Sequence, residues 1–309
     1  MSGSTHGSVM ASGVRTVAQA RGPALAAGRR VQRRWLARFA RRYPLGAMAG
    51  LAILGLMVLA GLANHLAPYD PLANDFGAMF AAPGARHWFG TDVFGRDVLS
   101  RILYGARTAL LVGFGASLVG ATMGGIVGVA AAYFGGTTDL IIQRLADIMI
   151  SFPIIILALA IVAILGSGTF NLIAAIALSF VPRIELVVRA SALSVRETTY
   201  VEAARAIGAR HWRIVWRHMV PNVTAPYLVM LTVFLGQAIL LEASLSFLGL
   251  GVNEPTPAWG LMLSGAAIEF VQRAPWMAVF PGLAITCTVL AFNVLGDSLR
   301  DALDPRLRI

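Results

Sequence analysis

Apolar residues run along this chain in six long stretches, at about 45–66, 108–134, 148–166, 169–189, 223–247 and 275–296. Between them gather arginine, aspartate, glycine and proline. Roughly 20 helical residues cross the ~30 Å hydrocarbon core of a bilayer, so each stretch predicts one transmembrane helix. The expected fold class is therefore an all-α polytopic membrane protein with six transmembrane helices, and an even number of spans puts both ends on one side.

The polar segments orient the spans. Residues 1–44 hold nine arginines and no acid in a Ser/Gly/Ala-rich setting, which reads as a basic cytoplasmic tail ending in Arg38, Arg41 and Arg42. A signal peptide is the rival, but both the charged leader and the run at 45–66 are too long for one, so an uncleaved anchor is expected. The connection from Arg183 to Arg217 carries seven arginines and three glutamates, and the close at 297–309 carries Arg300, Arg306 and Arg308. All three fall on one side, which the positive-inside rule makes the cytoplasm. The segment 67–107 and that at about 248–274 are then extracytoplasmic, and loops this long usually have structure or a partner of their own. Residues 108–296 make the core, with five spans.

Composition agrees with that picture and excludes others. At 57% apolar, 13% charged and a mean hydropathy of +0.73, the chain is too apolar for a soluble domain of 309 residues. Its formal charge of +10 sits beside the apolar spans, with no nucleic-acid-binding module. All 25 cationic residues are arginine. Without a lysine the chain cannot carry a P-loop ATPase site, so it is expected to be no enzyme, with no catalytic residues. The lone Cys287 and the scattered His6, His65, His87, His211 and His218 offer no metal-ligand spacing, and no metal or cofactor is expected on this chain.

Within the spans, Ala116, Gly120, Gly124, Gly128 and Ala132 recur every four residues and predict a helix face against which a neighbouring backbone packs closely. Pro153, Pro182, Pro226 and Pro281 interrupt or edge spans. Glu242 is read as the one acid well inside a span. It is either a translocation-path residue that meets a peptide ammonium or a helix-to-helix hydrogen bond near the outer end.

The most informative polar stretch is 198–222. Val201, Ala204 and Ile207, then Trp212, Val215, Trp216 and Met219, recur at helical spacing, with Glu202, Arg205, Arg210, Arg213 and Arg217 between them. Gly208 separates the two patches, predicting two short helices at an angle with Pro221 ending the second. Taken alone, such an element suits a membrane surface, although the glutamate and alanines of its first half suit protein docking better.

Glu202-Ala203-Ala204, Gly208 and Pro221 resemble the EAA loop of bacterial ABC importer permeases, with His218 and Val220 standing where that pattern has Ile and Leu. Phe89-Gly90-Thr91-Asp92, Gly95 to Arg101 and Tyr104 to Arg107 are similar to the stretch before the second span of the C-type permease of dipeptide and oligopeptide importers. So are Glu242 to Gly251 with Pro255, Pro257 and Trp259-Gly260, and Asn293 to Arg306. The resemblance covers about 42–306 and implies the type I ABC importer permease fold with a cytoplasmic coupling helix. It implies a second homologous permease forming a heterodimer, two ATP-binding cassette ATPases that hold the ATP and Mg, and an extracytoplasmic peptide-binding protein. On this footing Glu202, Ala203, Ala204, Gly208 and Pro221 are the candidate ATPase-coupling residues. Asp92, Arg96, Asp97 and Arg101 are candidates for docking the binding protein or for pairing among themselves. Nickel or a metal chelate is the alternative cargo, and a stand-alone secondary transporter is the alternative class.

Overall fold

The computed structural model describes residues 39–303. The basic segment up to residue 38 and the close from residue 304, with Arg306 and Arg308, lie outside the described residues. Among those described, the chain is helical: α1 (Pro44–Gly61), α2 (Val98–Phe134), α3 (Gly136–Ile150), α4 (Ile154–Leu165), α5 (Thr169–Arg196), α6 (Thr199–Ala206), α7 (His211–Phe247), α8 (Trp259–Leu263) and α9 (Trp276–Leu303). Five of these are long and apolar enough to span a bilayer, and α3 with α4 supplies a sixth if the pair counts as one.

α2 begins at Val98, ten residues before the stretch at 108. Asp97 caps it, its carboxylate accepting from the Ser100 amide, and a short polar side chain before an apolar run is a helix start the hydropathy count passes over. The third predicted span, 148–166, is instead two helices meeting at 96° across Ser151, Phe152 and Pro153. Pro153 has no N–H to give and holds the backbone before it away from helical angles, so the helix stops and restarts. α4 alone has 12 residues, about 18 Å, and is too short to cross a bilayer.

α2 packs along α5 with the small-residue face turned inward, as the four-residue repeat predicts. Methyl groups at Gly120, Gly124 and Gly128 would stand 2.9, 2.8 and 2.7 Å from the carbonyl oxygens of Ala177, Val181 and Glu185. The two backbones therefore touch, and the larger apolar cluster forms around that seam from Leu172, Ile176, Phe180, Ile184, Met219 and Phe234. A second cluster joins α1, α2, α7 and α9 through Ile53, Ala109, Leu235, Ile239, Trp259 and Phe292. Leu45, Leu51, Leu111 and Ile126 point outward. A soluble protein would bury that much apolar surface, whereas lipid accepts it.

The outer segments are folded. Trp259 is buried, and its indole N–H donates to the Ile102 carbonyl at 3.0 Å beside Gly105. Trp276 donates to the Thr91 carbonyl at 3.0 Å, and Phe89 stacks on Phe280 with centroids 4.1 Å apart. At the outer end of α1, Arg107 donates to the Ala60 and Gly61 carbonyls and to Asn64. The guanidinium thus caps the last turn of α1 and fixes its height against α2.

Candidate functional site

The polar connection between α5 and α7 forms the most distinctive surface. α5 ends at Arg196, and Thr198, in extended conformation, opens α6. Glu202 lies in the first turn of α6, where a negative charge suits the helix dipole. One face of α6 carries Val201 and Ala204, both buried in the main apolar cluster, while Glu202, Ala203, Arg205 and Ala206 are exposed.

α6 stops at Gly208, whose φ of +77° is a left-handed conformation. The Gly208 amide donates to Arg205 (2.9 Å) and the Ala209 amide to Ala204 (3.0 Å). These two bonds are the paired closure of a Schellman motif, which satisfies the last carbonyls and reverses the chain within three residues. A second helix follows at once from His211.

That second helix does not end at Pro221. Residues Val215–Met219 form a π-turn, and the helix runs on through Pro221 to Phe247. The proline lacks an amide and its ring crowds the carbonyl four residues back; the wider π-turn removes the need for that bond and leaves room for the ring. The expected apolar stripe divides differently as well. Met219 and Ile214 are buried, whereas Ile207 is 84% exposed, Trp212 71% and Trp216 52%. Ile207 falls past the end of α6, and the π-turn shifts the register of Met219 against Trp212 and Trp216 within the second patch.

Three contacts bind this loop to the inner end of α2. The Tyr133 hydroxyl and His211 Nδ1 lie 2.6 Å apart, the Arg205 guanidinium sits 5.4 Å over the Tyr133 ring, and Arg196 donates to the Ala132 carbonyl at 2.8 Å. Nothing in the sequence joins Tyr133 to a partner 78 residues on. His218 packs its ring near Tyr200, and Asn222 donates both to the Tyr200 hydroxyl (3.1 Å) and to the His218 carbonyl (2.7 Å). The exposed surface is thus a rigid ledge: Ala203, Ala206, Ile207, Trp212 and Trp216 for apolar contact, with Arg205, Arg210, Arg213 and Arg217 around them. No acid occurs between Glu202 and Glu242.

The other candidate residues lie elsewhere. Glu242 is 0% exposed; Ser246 donates to its Oε1 at 2.9 Å and its Oε2 has no partner. The fold places it inside the subunit, where Ser246 in turn accepts from the Val252 amide at 3.3 Å. The reading of Glu242 as the one acid within a span needs correcting. Glu185 on α5 is also buried, held by Gln143 of α3 at 2.8 Å, and Arg189 one turn on makes a two-pronged pair with Asp139 of α3 at 2.6 Å. Flanking Arg183 and Arg189 make Glu185 read as part of the polar connection in the sequence.

Asp92, Arg96, Asp97 and Arg101 come together but face inward, each 8% exposed or less. Asp92 accepts from the Arg96 guanidinium (2.6 Å) and from the Phe94 and Arg96 amides. Asp97 takes Ser100 and His87, and Arg101 donates to the Pro71 carbonyl. Of the two readings offered for this group, the geometry suits internal pairing. Asp97→Ala is accordingly expected to cost about 2 kcal/mol through the lost cap and the orphaned neighbours. It should lower the melting temperature of the purified protein while leaving the affinity of a binding protein for the folded fraction unchanged; weaker binding at unchanged melting would contradict the internal role.

Residues 98–309 match the family described as binding-protein-dependent transport system inner membrane component. The chain is 44% identical over 272 residues to the glutathione transport system permease protein GsiD of Pectobacterium atrosepticum, covering 88% of this chain and 90% of that protein. It is 44% identical over 269 residues to GsiD of Escherichia coli O6:K15:H31, covering 87% and 88%. It is also 44% identical over 265 residues to the dipeptide transport system permease protein DppC of Alkalihalophilus pseudofirmus, covering 84% and 86%.

Proposed function

Because the chain belongs to the family of inner membrane components of binding-protein-dependent transport systems, we propose that it is the permease through which a short peptide crosses, driven by ATPases docked on its α6 ledge. As a permease of such an importer it transports rather than catalyses. The observation that carries the finer reading is the ledge itself: a helix whose exposed face sets Ala203 and Ala206 between Glu202 and Arg205, closed by Gly208 and pinned to both α2 and α7. A surface with Ile207 and Trp212 this exposed needs a covering partner.

In this reading Glu202 makes polar contacts with the ATPase, Ala203 lets it approach closely, Ala204 holds the ledge from within, and Pro221 lies on its exposed side where α7 leaves the π-turn. ATP and Mg belong to two partner subunits, a second related permease completes the path, and a binding protein delivers cargo from outside. Both termini lie in the cytoplasm, as the arginine distribution supports. Cargo is a di- or tripeptide, glutathione included; of the three relatives, two are named for glutathione transport and one for dipeptide transport.

The test is to co-purify the chain with its partners, reconstitute them in vesicles with the binding protein, and measure uptake of dipeptides, glutathione and nickel. ATP-dependent peptide uptake is expected. Nickel uptake without peptide uptake would replace the cargo, and uptake by this chain alone would overturn the role.

A further inference from the structure

Inside the apolar spans, exposed hydroxyls are mostly satisfied within their own helix. Thr224, Thr232, Ser244 and Thr286 each donate to a carbonyl three or four residues back, at 2.8–3.1 Å. Such groups can face lipid at little cost. Two carboxamides behave differently. Gln237 of α7 and Asn293 of α9 are both exposed, and neither side chain makes a hydrogen bond among the described residues.

The two lie together. Gly236, next to Gln237, is where α7 meets α9, and a methyl group there would stand 2.7 Å from Asn293 Oδ1. Gln237 shares its outward stripe with Val233, Leu240 and Ser244, and Asn293 shares one with Thr286 and Leu290. Ten residues, about 15 Å, separate Gln237 from the outer end of α7 at Phe247, which is the middle of the bilayer. An unbonded primary amide facing hydrocarbon at that depth leaves two donors and an acceptor unsatisfied, each at a cost of roughly 1 to several kcal/mol. This face is therefore not a lipid face.

We propose that Gln237 and Asn293 form a hydrogen-bonding station for the peptide backbone in the translocation path, a reading that rests on the peptide cargo above. The chemistry fits that ligand class. A carboxamide offers a donor and an acceptor side by side, the same pair that a peptide bond presents. Being neutral, it accepts peptides whatever the charge of their side chains. A neutral hydrogen bond is also weak enough to release what it holds, as a path requires.

The test uses the assembled transporter with its binding protein in vesicles, comparing trialanine with its backbone N-methylated form. The same binding protein serves throughout, so its own preference cancels. Gln237→Met and Asn293→Leu are each expected to lower trialanine uptake about three- to tenfold. They should also narrow the preference for the unmethylated peptide. Wild-type rates and preference in both variants would overturn the proposal. So would variants that no longer co-purify with the second permease, which would make these residues interface contacts. If the wild-type transporter imports no trialanine, the peptide reading falls first and this one with it.

Discussion

A Gly208→Val subunit is expected to reach the membrane, fold and co-purify with its partners, yet import cargo about tenfold more slowly and couple ATP hydrolysis poorly. No heavy atom lies within 4 Å of the position a Cβ would take, so the defect would not be steric crowding. It arises from the backbone: a left-handed φ costs an L-residue about 1–2 kcal/mol, and more for a β-branched one. That energy bears on a single Schellman closure and shifts the population of the native ledge roughly 5- to 30-fold. Gly208→Ala should fall between valine and wild type. Uptake and binding-protein-stimulated ATP hydrolysis, measured on the same vesicles, check the ranking; equal rates for all three would mean that the bend has no part in coupling.

The largest effect on stability is expected from Gly128→Leu on α2. Its first side-chain carbon would meet the Glu185 carbonyl at 2.7 Å and the Arg189 amide at 3.0 Å, and backbone cannot step aside as a flexible side chain can. Opening the α2–α5 seam also strains the Glu185–Gln143 and Arg189–Asp139 contacts that hold α3. A loss of more than about 3 kcal/mol is expected, overpacking compounded with broken polar pairs. It should appear as little or no recoverable folded protein in mild detergent. Gly55→Leu on α1, where nothing lies within 4 Å, is the control and should purify as wild type. Equal yields of the two would show that α2 and α5 do not pack as described.

The sequence made the spans legible wherever one physical quantity decided them. Mean hydropathy over some twenty residues found α1, α5, α7 and α9, and the four-residue period of Ala116 to Ala132 found the packed seam. It failed where local chemistry outranked hydropathy: the Asp97 cap that starts α2 early, and Pro153, which divides a uniformly apolar run. In the ledge, Gly208 was readable because a glycine between two amphipathic patches has few other uses. The outward turn of Trp212 and Trp216 was not, since a π-turn changes register without a residue type to announce it. Tyr133 and His211, and Glu185 and Gln143, meet only through tertiary packing, which no single-chain pattern encodes.

α1 also serves as a ruler. Its 18 residues, about 27 Å, match the hydrocarbon thickness, and Arg107 fixes its outer end level with one point on α2. From that point α2 continues 27 residues to Phe134, about 40 Å, and so overshoots the inner boundary by roughly 13 Å. The ledge bolted to Tyr133 accordingly stands out past the level at which α1 begins. On the coupling role proposed above, a motor gripping it would pass its stroke into the bilayer as leverage on α2 and α7.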